Sequence, residues 1–168
     1  GGALLAYRGR TQDEIRDIHL ARFDGRDWSR LGPLHADAWK IAGCPVNGPQ
    51  LAATGGTVGA VWFTAADNQS RVLARRSDDA GRNFGPVARV DLGRPQGRVD
   101  NVLLADGTLE MIWLETTGPA TGKQGGIYLR PLARDGRLGE AQLLVPTSTS
   151  RLSGFPRLAG RLAFEAAQ

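Results

Sequence analysis

The chain has 168 residues, of which 41% are hydrophobic and 23% charged, and this composition excludes an extended or disordered polymer. Lysine and arginine number 21 against 17 aspartates and glutamates, and the pI is about 10.0. Almost all of these cations are arginines placed singly along the chain. The sequence therefore predicts a solvated basic surface rather than the contiguous patch that binds nucleic acid.

The same composition limits the chemistry that the chain can carry. The single cysteine, Cys44, excludes an internal disulfide, and two histidines are too few for a zinc site. We therefore expect no metal, no cofactor and a buried Cys44 thiol. No apolar run approaches the roughly 18 to 20 residues of a membrane span, and residues 1–8 lack the basic start of a signal peptide.

The predicted strands fall into four groups, separated by loops rich in glycine and proline. The first group holds the last three strands of a unit, the next two hold four strands each, and the last begins a further unit. The groups occupy residues 1–36, 49–92, 98–146 and 154–168. Two hairpins are predicted within 50–63 and 101–114, and the other strands at 3–8, 15–23, 29–35, 71–76, 87–92, 126–133 and 141–145.

An internal repeat supports this grouping. Trp62 and Trp113 lie 51 residues apart, and each follows a hairpin turn with the same Gly-Thr pair. Residues 156–159 repeat the Pro-x-Leu-Ala pattern found 107 positions earlier, at residues 49–52. Four antiparallel strands in a unit of about 40 to 50 residues are typical of a β-propeller blade.

The predicted fold is therefore all-β: about three blades of a β-propeller, each a four-stranded antiparallel sheet. A closed ring usually has four to eight blades, and three blades alone leave strand edges unpaired. We expect the remaining blades to come from the same parent protein or from a second copy of the chain.

One turn carries a complete sequence motif. Residues 77–84 fit the Asp-box pattern, with Ser77, Asp79, Gly81 and Phe84 at the specified positions. The serine and aspartate side chains can accept backbone N–H groups inside such a turn, while the glycine can take a positive φ. The aromatic ring is expected to be buried where the next strand starts. These four residues are predicted to be structural.

The Asp box, the repeat and the segments 43–49, 62–66 and 93–100 together resemble the sialidase-like β-propellers with BNR/Asp-box repeats, and more narrowly the bacterial exo-alpha-sialidase-like proteins. The resemblance implies a ring of about six blades, a secreted or periplasmic location, and a carbohydrate or other anionic small ligand. It also implies a glycoside hydrolase acting on terminal sialic-acid-type glycosides. The alternative is a non-catalytic propeller that serves as a ligand-binding or protein-interaction scaffold, since Asp boxes are turn motifs in this fold.

Such propellers bind ligand on the face opposite the Asp boxes, in an axial pocket where arginines hold the sugar carboxylate bidentately. Arg98 and Arg157 lie near the starts of two predicted innermost strands and are the main candidates, and Asp100 is expected to orient one of them. The alternative is that both are exposed loop arginines in an arginine-rich protein. The other predicted substrate-binding residues are Arg94, Trp39 and Asn47.

The catalytic group is harder to assign. Glycosidases need two positioned carboxyl groups, or a tyrosine nucleophile with carboxylate partners. Tyr7 and Tyr128 are not on predicted innermost strands, so neither is assigned. The remaining candidates are Glu14, Asp17 and Asp100.

The four tryptophans divide into two groups. Trp28, Trp62 and Trp113 lie in or beside predicted strands and are expected to pack between blades. Trp39 lies in a long loop and is expected to stack on a sugar ring.

Overall fold

The computed structural model describes residues 2–119, 123–150 and 153–159. Within these residues the chain forms eleven strands and one short 3-10 helix, Ala66–Asn68. The strands are β1 (Ala3–Arg8), β2 (Ile18–Phe23), β3 (Trp28–Pro33), β4 (Gln50–Thr54), β5 (Thr57–Thr64), β6 (Arg71–Ser77), β7 (Ala88–Arg89), β8 (Pro95–Leu103), β9 (Leu109–Thr116), β10 (Gln124–Leu132) and β11 (Gln142–Ser148).

The strands form three antiparallel meanders in chain order. The first sheet has the order β1-β2-β3, the second β4-β5-β6-β7, and the third β8-β9-β10-β11. Strands β4 and β5 of the second sheet both pack against β8 of the third. The predicted all-β class, built from antiparallel four-stranded sheets, is confirmed.

Several predicted strand regions have different ends in the structure. β2 begins at Ile18 instead of residue 15, because Ile15 forms only an isolated bridge with Lys40. The hairpin predicted near the end of the chain falls partly on residues 154–159, which contain no strand. Its remainder, residues 160–168, lies outside the described residues.

The last strand of the second sheet is also shorter than predicted. β7 covers only Ala88–Arg89 instead of residues 87–92. The Asp91 carboxylate accepts the Val72 N–H at 2.8 Å, so a side chain takes the place of a ladder bond. This N–H of β6 is then not available to a backbone carbonyl, and regular pairing with β6 ends early.

Two hydrophobic clusters hold the sheets together. Trp62 belongs to the cluster between the first and second sheets, and Trp113 to the cluster between the second and third. Both rings are fully buried, and their N–H groups donate to the carboxylates of Asp37 and Glu115 at 2.8 and 2.6 Å. These two tryptophans therefore pack between sheets as expected.

The same expectation was wrong for Trp28, whose exposed fraction is 56%. Trp28 begins β3, the outermost strand of the first sheet, and its ring contacts Phe23 at a centroid distance of 5.4 Å. It lies outside the cluster that joins the first sheet to the second. Its position at the sheet edge is the physical reason for its exposure.

Arginines join neighbouring sheets at equivalent places. Arg75 on β6 donates Nη1 to the carbonyl of Leu34, at the end of the first sheet, at 2.5 Å. Arg130 on β10 donates Nη1 to the carbonyl of Val90, at the end of the second sheet, at 3.1 Å. Each also donates Nε to a glycine carbonyl of its own sheet. Part of the arginine content is therefore used to satisfy backbone carbonyls between sheets.

Candidate functional site

The Asp box folds as a closed hydrogen-bonded turn after β6. Ser77 Oγ accepts the Gly81 N–H at 2.9 Å, and Asp79 Oδ1 accepts the Asn83 N–H at 2.8 Å. The hydrogen bond from the Asn83 backbone is the largest of several that hold the pKa of Asp79 well below its usual value. Gly81 has a φ of 73°, and a Cβ there would lie 2.8 Å from a methyl group of Leu4. The half-buried ring of Phe84 packs against the hydrophobic cluster between the first and second sheets.

The opposite ends of the strands carry most of the predicted binding residues. The Asp-box turn donates the Ala80 N–H to the carbonyl of Gly56, so it lies beside the turn that ends β4. Gln50 is the first residue of β4 and therefore lies at the far end of that strand. Arg157 donates Nη1 to Gln50 Oε1 at 3.1 Å, which places Arg157 at this far end too.

Arg157 has an open guanidinium group. Its side chain is 69% exposed, and Nη1 also lies 3.6 Å from Asp100 Oδ1 on β8. The other carboxylate oxygen of Asp100 accepts the Leu158 N–H at 2.7 Å. Asp100 thus holds both the side chain of Arg157 and the backbone beside it. We call Gln50, Asp100 and Arg157 the Arg157 cluster.

The guanidinium group of Arg98 is hydrogen-bonded within its own chain. Nη1 donates to Ser153 Oγ at 2.6 Å and to the Gly154 carbonyl at 2.9 Å, while Nη2 donates to the Ser150 carbonyl at 2.8 Å. The guanidinium carbon also lies 5.5 Å from the centre of the Phe155 ring. Arg98 is buried, so it fastens the segment after β11 rather than presenting a charge to solvent.

The position of Arg98 follows from a local irregularity in β8. The register against β9 shifts between Gly97 and Asp100, and Arg98 has a φ of 54°. A bulge of this kind re-aims a side chain that regular pairing would direct elsewhere. Asn47 supports the bulge: Oδ1 accepts the Arg98 N–H at 2.9 Å and Nδ2 donates to the Gln96 carbonyl at 3.1 Å. Asn47 thus positions the backbone of the site.

Trp39 is not available for the predicted sugar stacking. Its exposed fraction is 7%, the guanidinium of Arg8 lies 4.9 Å from the ring centre, and Phe63 packs edge-on at 5.7 Å. Burial lowers the pKa of Arg8 to about 10, despite the nearby Asp37 and Asp17 carboxylates. The loop folds back over the second sheet, so the expectation of an exposed ring is corrected.

The three candidate carboxylates are held by different partners. Glu14 pairs with Arg10 at 2.5 Å and with Arg16 at 2.7 Å, and these hydrogen bonds, that of Arg10 first, lower its pKa. Asp17 is buried and accepts the Trp39 N–H at 3.2 Å. Only the third, Asp100, contacts a predicted binding arginine.

Two other predicted features take positions that sequence did not specify. Arg94 is exposed and donates Nη1 to the Gly118 carbonyl at 2.6 Å, and it forms no ion pair with any described residue. Cys44, expected to be buried, is exposed, because its loop lies on the surface.

Two residues of the site were missed from sequence. Gln50 lies 107 residues before Arg157, at the equivalent position of the repeat, and the two side chains are in contact. The repeat is therefore the sequence feature that could have indicated Gln50. Arg8 donates to the carbonyls of Asn47 and Phe63, each at 2.8 Å, and no local pattern marks it.

Among the described residues, no group of three histidine, cysteine, aspartate or glutamate side chains could hold a metal ion. In the same part of the chain, no helix is long and apolar enough to cross a membrane.

The chain forms three antiparallel sheets that follow one another in sequence, and this arrangement was compared with known proteins. No protein-family model and no curated protein matches the chain. Among solved structures it is similar to a mutant of NanB sialidase from Streptococcus pneumoniae, with a TM-score of 0.52 and 14% identity. The match covers 88% of this chain and 22% of that chain. At this identity the likeness concerns the fold alone.

Proposed function

We propose that the chain is part of a sialidase-like propeller that binds a carbohydrate bearing a carboxylate, and that the Arg157 cluster is where the carboxylate binds. The observation that carries the proposal is the open guanidinium of Arg157. Only Nη1 has a partner among the described residues, which leaves the edge formed by Nε and Nη2 for a ligand. That edge can hold a carboxylate through two parallel hydrogen bonds.

The neighbouring groups suit this role. Asp100 and Gln50 both contact Nη1, so they orient the guanidinium without occupying its free edge. Asp100 is buried, which keeps its carboxylate fixed beside the arginine. A preoriented arginine loses less side-chain entropy when it binds an anion than a freely rotating one.

Hydrolysis of terminal sialic-acid-type glycosides is the further part of this proposal, together with a secreted or periplasmic location. Both rest on the resemblance of the sequence motifs, and the similarity in fold to a sialidase supports the resemblance. Asp100 is the carboxyl group that we place nearest to the bound sugar, with Glu14 and Asp17 as the other candidates. The remaining blades, from the parent protein or a second copy, would complete the pocket.

A non-catalytic scaffold is the second candidate, and one observation favours it. The second predicted arginine, Arg98, directs its Nη donors to Ser153 and to backbone carbonyls of the adjoining segment. A single open arginine recognises an anion but does not supply the paired carboxyl groups of a glycosidase.

Calorimetric titration of the full chain with N-acetylneuraminic acid and with its methyl ester tests the binding proposal. We expect Arg157→Ala to weaken binding of the acid about tenfold, because a charge-assisted pair is lost. The ester should bind weakly to both proteins. Arg26→Ala is the matched control, since Arg26 is exposed and its side chain forms no hydrogen bond or ion pair with a described residue. Equal affinity of Arg157→Ala and the unmodified chain would overturn the proposal.

A fluorogenic sialoside assay on the complete parent protein separates the two candidates. Turnover that Asp100→Ala abolishes supports the hydrolase, whereas binding without turnover supports the scaffold.

A further inference from the structure

A second cleft lies at the strand ends opposite the Asp box. Its walls are the residues that precede β6, the stretch between β7 and β8, the end of β9 and the residue after β11. Its volume is about 550 Å³, which is large enough for a single sugar unit. The cleft therefore lies between the second and third sheets and includes none of the Arg157 cluster.

The lining of this cleft is polar and contains no carboxylate. Three amide and three hydroxyl side chains face it, and both groups make the hydrogen bonds that sugar hydroxyls need. These six residues are Asn68, Gln69, Gln96, Ser70, Thr116 and Thr149. The cleft beside the Asp box, of about 640 Å³, differs because Asp78, Asp79 and Asp135 line it among apolar side chains.

The charge of the second cleft comes from two arginines. Arg89 is balanced by the buried Asp91, whose carboxylate lies 2.9 Å from Nη2. Arg94 has no such partner among the described residues, because its Nη1 donates to the neutral carbonyl of Gly118. The nearby Glu115 is already used by backbone N–H groups, including that of Arg94, and by the Trp113 indole. The guanidinium of Arg94 is therefore left without an ion-pair partner among the described residues.

We propose that this cleft is a second binding site, for a hydroxylated monoanion such as a hexuronate unit. Arg94 would hold the carboxylate, while the amides and hydroxyls would bind the ring hydroxyls. The inference goes beyond the proposed function, since the residue that recognises the anion is Arg94 and not Arg157.

Arg98 holds the chain beside one wall of the cleft. It binds the carbonyl of Ser150, and the adjacent Thr149 lines the cleft and donates its N–H to the Lys123 carbonyl at 2.8 Å. Arg98 is thus a positioning residue for one wall of the cleft. Its loss should displace Thr149 and lower the affinity without removing the charge of Arg94.

The test is a titration of the isotope-labelled full chain with sodium glucuronate and with methyl glucoside, followed by backbone amide shifts and calorimetry. We expect glucuronate to shift the amides of Gln96, Thr116 and Thr149, and Arg94→Ala to weaken its binding about tenfold. Arg94→Lys should retain part of the affinity, because it keeps the charge but loses the planar fork. Arg157→Ala and Arg26→Ala should leave these shifts unchanged.

The outcomes separate this proposal from the proposed function. Shifts confined to Gln50 and Leu158, abolished by Arg157→Ala alone, would overturn the second site and leave the Arg157 cluster intact. Equal binding of glucuronate and methyl glucoside would also overturn it, as would the absence of any binding. Loss of glucuronate binding in Arg94→Ala, with binding unchanged in Arg157→Ala, supports the second site. This holds whether or not the Arg157 cluster binds sialic acid.

Discussion

Arg98 donates hydrogen bonds to the stretch of chain after β11, and Arg157 belongs to that stretch, yet their guanidinium groups are used in opposite ways. Arg98 is buried and satisfies two carbonyls and a hydroxyl of that stretch. Arg157 is 69% exposed and has one nitrogen fixed by Gln50 and Asp100. The first is part of the framework, and the second is available to a ligand.

The difference shows that an arginine's role here is set by which acceptors surround it. A buried guanidinium needs acceptors for its five N–H donors, and backbone carbonyls of a neighbouring segment supply them. Arg75 and Arg130 meet the same requirement between sheets. An exposed guanidinium keeps N–H donors for solvent or an anion. Arg157 and Arg94 are exposed in this way, and Arg98 is not.

The largest expected effect is on stability at Arg98. Arg98→Ala should lower the free energy of unfolding by roughly 2 kcal/mol, because two carbonyls lose their donors and a buried side chain is removed. Arg157→Ala, at an exposed position, should change it by less than about 0.5 kcal/mol. Urea denaturation of both variants measures the two free energies of unfolding, and similar values would contradict the different roles of Arg98 and Arg157.

Salt should weaken the binding that depends on Arg157 and leave the stability contributed by Arg98 unchanged. Raising NaCl from about 0.05 to about 0.5 M should weaken Arg157-dependent binding of sialic acid several-fold, since exposed charges are screened. The stability difference between the unmodified chain and Arg98→Ala should stay constant, because Arg98 bonds to neutral acceptors in a buried place. Calorimetry and urea denaturation at both salt concentrations check this. A salt-independent affinity would argue against a charge-led site.

Asp100→Asn tests how much the charge of Asp100 contributes to binding at the Arg157 cluster. The amide oxygen can still accept the Leu158 N–H, but the charge that orients Arg157 is lost. We expect the affinity for sialic acid to fall about threefold, less than for Arg157→Ala, because Arg157 itself remains. An affinity equal to that of the unmodified chain would contradict the orienting role of Asp100.

The smallest expected effect concerns Asp79, whose carboxylate accepts hydrogen bonds only within the Asp-box turn. The pKa of Asp79 is lowered in the folded state, chiefly by the Asn83 N–H, so its stabilising contribution is complete above the unfolded pKa of about 3.9. It is lost as the pH falls further toward the folded pKa. Asp79→Asn should therefore be less stable than the unmodified chain at pH 7, and the gap should narrow below about pH 4. Urea denaturation at several pH values measures it; a gap independent of pH would contradict this account.

Local sequence was sufficient for much of the fold. The spacing of apolar runs and glycine turns predicted four antiparallel groups, of which the first three correspond to the three sheets. The Asp-box turn depends on hydrogen bonds spanning no more than four residues. The repeat related Gln50 to Arg157, which are in contact. Each of these features depends on neighbours in the chain or on a regular period, and both are visible in a sequence.

The use of each side chain was decided by tertiary structure. Trp39 was expected in solvent and is covered by Arg8 and Phe63, which are 31 and 24 residues away. Arg98 is closed by carbonyls more than 50 residues later. Backbone acceptors are chemically alike at every residue, so no sequence pattern marks which carbonyl a given guanidinium will reach.

Residue content and the internal repeat were enough to predict an arginine-rich, all-β chain of repeated four-stranded units with one complete Asp box. The roles of three arginines depended on the folded chain: Arg98 is a framework residue, Arg157 has an open guanidinium, and Arg94 lies in a polar cleft without an ion-pair partner among the described residues. The physical reason is that charge and composition are properties of residues, whereas burial and hydrogen-bond saturation are properties of their surroundings. Those surroundings come from segments far apart in the chain.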